Sequence, residues 1–218
     1  MPLVLSKPII YPITTGTTTS QTATEDPQFA NILRLVEAAV AAEIPLFQIR
    51  EKSLPARVLF ELAVRAAKLT KGSATRLLVN DRPDIARAAA ADGVHLTTNS
   101  LPAAVVRERF GPEFLIGVSA HTPHEAQAAQ TGGADFVVFG PVFDTESKRV
   151  FGEPQGLKEL QRISSALEDV PVLAIGGINV DNVAACFVAG ASGVAAIRLF
   201  ADPEQMSSIV EVIKSKWR

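Results

Sequence analysis

Eight short apolar runs recur along these 218 residues, at 9–14, 46–50, 76–80, 93–97, 115–119, 136–142, 172–177 and 193–198. Each has strand length and is bounded by turn-forming or polar residues, the pattern of a strand buried on both faces. Between them lie helix-like stretches, as parallel strands require, because a parallel pair needs a long crossover. Strand–helix alternation predicts an α/β fold with a parallel sheet. Eight such units predict a (β/α)₈ TIM barrel formed by a single domain over residues 1–218. In that architecture chemistry collects at the C-terminal ends of the strands. Those ends hold most of the chain's distinctive polar residues.

The connecting stretches support this reading. Asp26-Pro27 supplies a helix cap followed by proline in the first turn, and Ile32, Leu35, Val36 and Ala39 recur at helical spacing, predicting a helix over 26–42. Further helices are predicted over 55–71, stopped by Gly72, and over 101–110 and 123–131. Another starts near Asp181, and Asp202-Pro203 is expected to cap the last, which finishes with Trp217. The Thr-rich segment 14–24 follows the first strand and reads as a polar active-site loop. The longest polar connection, 143–155, follows strand six, and loops of that length in a compact domain are usually functional or disordered.

A net charge of −2 offers no basic face for nucleic acid. Cys186 is the single cysteine, which excludes an internal disulfide and fits a reducing compartment. Residues 1–8 lack the order of a secretory signal, and no apolar run approaches the ~20 residues that span a bilayer. A soluble cytoplasmic protein without membrane partners is expected, and apolar helix faces would permit a homodimer.

Alternation along strand two puts Gln48 and Arg50 on one face, followed by Glu51 and Lys52. An arginine fork suits phosphate or pyrophosphate. Asn80-Asp81-Arg82 closes strand three; Asp81 is a candidate magnesium ligand or a helix cap, and Glu51 a candidate second ligand. Ser119 and His121 follow strand five, and His121 is the preferred general acid–base. His95, inside strand four, and His124, at a helix start, read as structural. Thr145, Ser147 and Lys148 offer two hydroxyls and an ammonium to an anion. Gly176 and Gly177 end strand seven, and Ile197-Arg198 ends strand eight, where barrels often build a phosphate site.

Together the segments QIREK (48–52), NDR (80–82), DGVHL (92–96), GVSAH (117–121), GPVFxTxSK (140–148) and AIGGI (174–178) resemble the thiamine phosphate synthase / thiazole tautomerase superfamily across strands two to eight. The resemblance implies that Gln48, Arg50, Lys52 and Asn80 bind a pyrimidine pyrophosphate and that Asp81 holds magnesium. It implies that Ser119 contacts the same substrate, that Thr145, Ser147 and Lys148 bind pyrophosphate and the thiazole, and that Gly177 holds the thiazole phosphate.

The chain departs from the synthase pattern in three places. Ser100 stands where a second magnesium-binding Asp is expected, Arg198 where a Ser is usual, and the first strand ends Ile13-Thr14-Thr15-Gly16 without the usual Asp. Loss of the second Asp with QIREK retained resembles the tautomerase branch, which moves a proton on a carboxythiazole phosphate without metal. The favoured expectation is therefore a tautomerase acting through His121, with Arg50 and Lys52 as catalytic cations and no cofactor. The alternatives are a magnesium-dependent synthase and a non-catalytic binder of thiazole or thiamine phosphate.

Overall fold

The computed structural model describes residues 6–144, 153–167 and 169–217. Strands β1 (Ile9–Pro12), β2 (Leu46–Ile49), β3 (Arg76–Asn80), β4 (Gly93–Leu96), β5 (Leu115–Ala120), β6 (Phe136–Phe139), β7 (Val172–Ala174) and β8 (Gly193–Ala196) alternate with helices. The helices are α1 (Pro27–Ala41), α2 (Ala56–Thr70), α3 (Pro83–Ala88), α4 (Ala103–Phe110), α5 (Pro123–Thr131), α6 (Gly156–Ala166), α7 (Val183–Val188) and α8 (Met206–Lys216). Every strand pair is parallel, in the order β1-β8-β7-β6-β5-β4-β3-β2. The ring closes where Ile13 bridges Gln48 and the Thr14 N–H donates to the Gln48 carbonyl at 3.0 Å. The expected (β/α)₈ barrel is the observed one.

Alternating side chains divide the apolar residues into two cores. Ile9, Tyr11, Leu46, Leu78, Leu115, Phe136 and Leu173 fill the barrel interior. Their neighbours Ile10, Phe47, Val79, Ile116 and Val137 point outward and pack beneath the helices. No described helix is long and apolar enough to cross a membrane.

Several element ends differ from expectation, each for a local reason. β7 stops at Ala174 because Gly176 and Gly177 take φ of +94° and +65°, a conformation no strand uses. A Cβ on Gly177 would lie 2.7 Å from the Phe143 Cβ and 2.8 Å from the Asp144 carbonyl, so only glycine fits there. β8 stops at Ala196, and Arg198–Phe200 form a 3₁₀ turn. α7 begins at Val183 rather than near Asp181, after a reciprocal turn in which Asn179 and Asn182 each accept the other's N–H. Asp202 caps the turn before α8, accepting from the Glu204 N–H at 3.0 Å, and does not cap α8 itself. Trp217 lies beyond α8 and meets Phe187 edge-on.

Candidate active site

The C-terminal strand ends enclose one cavity of about 970 Å³. One wall carries Gln48, Arg50, Lys52 and Asn80 from the ends of β2 and β3, with Ser119 from β5 and His121 just after it. The opposite wall carries Gly176, Gly177, Ile197 and Arg198. The structure thus brings together ten of the residues singled out from sequence. Asp81 stands at the rim, exposed, outside the residues lining the cavity; it takes φ of +56°, and its N–H donates to the His95 carbonyl at 2.9 Å. Thr145, Ser147 and Lys148 lie outside the described residues. Thr98, Asn99 and Asn179 also line the cavity. Sequence reasoning singled out none of the three; their place just after strand ends four and seven was the available signal.

Two buried atoms in this wall lack partners among the described residues: the Gln48 Nε2, a donor, and the Asn80 Oδ1, an acceptor. An unmet buried polar atom costs roughly 1–3 kcal/mol. A ligand edge presenting both an acceptor and a donor would relieve that cost at both positions.

Glu51 is not available as a metal ligand. It is buried and its carboxylate accepts from the Gly16 N–H (3.1 Å), the Thr18 N–H (3.3 Å) and the Thr18 hydroxyl (2.6 Å). It ties the Thr-rich loop after β1 against the end of β2. Ser100 is also engaged: its Oγ accepts the Thr97 N–H at 2.7 Å and lies 3.1 Å from the Thr97 Oγ1. Among the described residues no three His, Cys, Asp or Glu side chains form a metal-binding group.

His121 is held as a directional base. Its Nδ1 contacts the Gly140 carbonyl, which only accepts, so Nδ1 carries a proton, and Nε2, which has no hydrogen-bond partner among the described residues, is the nitrogen left to exchange one. Its backbone N–H donates to Glu125 at 2.6 Å, and Thr122 caps α5 through the Glu125 N–H. His124 is exposed, as expected of a helix-start residue.

His95 goes beyond its structural reading. It lines the cavity floor with only 3% of its surface exposed; its Nε2 lies 2.9 Å from the Ser119 Oγ and its Nδ1 3.3 Å from the Tyr11 hydroxyl. Burial, with the nearby positive charge of Arg50, pushes its pKa down to about 3, so the ring is neutral. Burial raises the Tyr11 phenol well above its ordinary value, so that group stays protonated. The sequence signal was the alternation from Gly93 to His95, which turns both inward.

The thiamine monophosphate synthase family model matches residues 18–200. A thiamine-phosphate synthase of Moorella thermoacetica is 46% identical over 165 residues, covering 76% of this chain and 78% of that one. Another, of Roseiflexus castenholzii, is 40% identical over 196 residues, covering 90% and 86%. The solved structure of a thiamine phosphate pyrophosphorylase from Pyrococcus furiosus superposes with a TM-score of 0.76 at 29% identity, covering 96% of each chain.

Proposed function

The chain belongs to the thiamine monophosphate synthase family, and from that premise we propose that it is itself a thiamine-phosphate synthase acting as one barrel domain. The observation that carries this reading is one cavity with an anion-handling group at each end. Arg50 and Lys52 stand at one end, and the glycine turn with Arg198 at the other. A cavity of about 970 Å³ is at the upper end of the range for a drug-sized ligand, room enough for two small substrates side by side.

In this reading Gln48 and Asn80 hold the pyrimidine edge through their unmet donor and acceptor. Arg50, Lys52 and Ser119 hold its pyrophosphate, with Thr145, Ser147 and Lys148. Gly176, Gly177, Ile197 and Arg198 seat the thiazole phosphate. The pyrimidine methylene C–O bond breaks and its electron pair leaves with pyrophosphate. The thiazole nitrogen lone pair then forms the new C–N bond. Arg50 and Lys52 stabilise the charge that accumulates on the leaving group. The donor set suits a magnesium ion that arrives with pyrophosphate, because magnesium is commonly held by one or two carboxylates together with substrate phosphates and water. Asp81 would hold it, and when bound it would neutralise leaving-group charge.

A second reading, proton transfer on a carboxythiazole phosphate, draws on His121, whose Nδ1 is fixed and whose Nε2 has no hydrogen-bond partner among the described residues. The names of the relatives favour the synthase. The deciding experiment supplies both substrates with magnesium and measures thiamine phosphate. Turnover that falls at least a hundredfold in Asp81→Ala supports the synthase. Absence of turnover alongside fast proton exchange on the carboxythiazole, lost in His121→Ala, moves the assignment to the tautomerase.

A further inference from the structure

Beneath the cavity, Tyr11, His95 and Phe136 cluster inside the barrel; Tyr11 meets Phe136 edge-on at 5.3 Å and His95 at 5.7 Å between ring centroids. Gly117 makes room for them: a Cβ there would fall 2.3 Å from the Phe136 ring and 2.8 Å from the His95 Nδ1. The Tyr11 hydroxyl, His95 and Ser119 therefore form a polar chain from the barrel floor to the cavity wall.

A neutral imidazole has one donor and one acceptor nitrogen, so the chain runs in one of two directions. The burial of Tyr11 decides between them. Its hydroxyl is fully buried, and the His95 Nδ1 is the one partner with which it completes a hydrogen bond among the described residues. A buried O–H left without an acceptor is costly, so it points at the His95 Nδ1, which accepts. The His95 Nε2–H then donates to the Ser119 Oγ. The Ser119 hydroxyl has no other hydrogen-bond partner among the described residues, so its own hydrogen can point into the cavity.

We propose that Tyr11 and His95 are positioning residues that fix Ser119 as a one-way hydrogen-bond donor, so that the substrate group seated against it is an acceptor on the pyrimidine pyrophosphate. This rests on the synthase reading for the identity of the substrate. It does not rest on that reading for the direction of the chain. A ligand donor at this point could use only the second lone pair of the Ser119 oxygen and would leave the hydroxyl hydrogen without an acceptor, so an acceptor is preferred.

Nitrogen-15 NMR of the ligand-free protein tests the direction without any activity. His95 is expected as the Nε2–H tautomer, unchanged from pH 8 to pH 5. Tyr11→Phe removes the lock and mixes the two tautomers. An Nδ1–H tautomer in the unaltered protein overturns the proposal. Kinetics test the consequence. Tyr11→Phe is expected to raise the KM for the pyrimidine pyrophosphate about tenfold, the size of one neutral hydrogen bond, and to leave the KM for the thiazole phosphate unchanged. His95→Gln, which keeps an N–H near the Nε2 position, is expected to recover most of the activity lost in His95→Leu. Equal changes in both KM values, or no recovery by glutamine, overturn the relay. If no thiamine phosphate forms at all, the synthase reading fails while the tautomer measurement still decides the relay.

Discussion

Glu51→Gln isolates the contact that joins the Thr-rich loop to the site. The carboxylate is 3% exposed and accepts three hydrogen bonds, two from backbone N–H groups and one from a hydroxyl. Bonds to a charged acceptor contribute about 1.5–3 kcal/mol each. Glutamine keeps one acceptor oxygen, enough for Gly16 or Thr18, and turns an NH₂ toward the other N–H. With the oxygen kept on the Thr18 side, the bond from the Gly16 N–H is lost and the two survivors lose their charge assistance, so the opening free energy of residues 16–18 falls by about 3 kcal/mol. At about 1.4 kcal/mol per factor of ten, hydrogen-exchange protection of the Gly16 and Thr18 amides drops roughly a hundredfold. Gly16 sits against Arg50, where an added Cβ would lie 3.3 Å from the Arg50 carbonyl and 3.5 Å from its Nη1. Release of the loop therefore also loosens the guanidinium and raises the KM for the pyrophosphate substrate. Protection unchanged in Glu51→Gln would refute the clamp. A shift in magnesium requirement with unchanged protection would return Glu51 to the metal.

Acid stability reads out His95. Its pKa is about 3 when folded and about 6.5 when unfolded, so the unfolded chain takes up the proton first. The stability held by the neutral ring is whole above pH 6.5 and declines by about 1.4 kcal/mol per pH unit down to about 3. Urea unfolding between pH 7 and pH 5 is expected to show a correspondingly shallower slope for His95→Gln, and equal slopes would count against the buried neutral ring. Gly117→Ala drives a methyl to 2.3 Å from the Phe136 ring; it is expected to cost about 2 kcal/mol in urea unfolding and to disturb the Tyr11–His95 contact. Ser100→Asp supplies the second carboxylate and is expected to lower the magnesium needed for half-maximal turnover at least tenfold; an unchanged titration would mean that the 97–100 turn faces away from the metal.

The barrel was legible because its strands repeat one local pattern, and a period survives without knowledge of what pairs with what. The inward positions were equally readable, since alternation alone puts Gln48 beside Arg50 and Gly93 beside His95. Strand ends were less so. β7 ends where Gly176 takes a positive φ, and glycine in a sequence announces freedom, not which conformation is used. The Tyr11–His95–Ser119 chain was out of reach for a different reason: its contacts span 84 and 24 residues and exist only once the barrel closes. Glu51 illustrates the same limit. Beside Arg50 and Lys52 it reads as a rim carboxylate, and only the folded loop shows that its lone pairs are taken.

Ser100 and Arg198 mark where this chain leaves the synthase pattern it resembles, and their charges act in one direction. A serine in place of an aspartate removes one negative charge near the pyrophosphate end. An arginine in place of a serine adds one positive charge at the phosphate end. With the aspartate also missing at the end of the first strand, the mouth is three charges more positive than that pattern. A positive cleft with low-dielectric walls concentrates anionic substrates. Both substrates of a synthase are polyanions, whereas a tautomerase binds one. The two departures thus weaken the grip on a metal while strengthening the electrostatic attraction that a joining reaction uses twice. This is why the missing carboxylate alone does not decide the chemistry in favour of proton transfer.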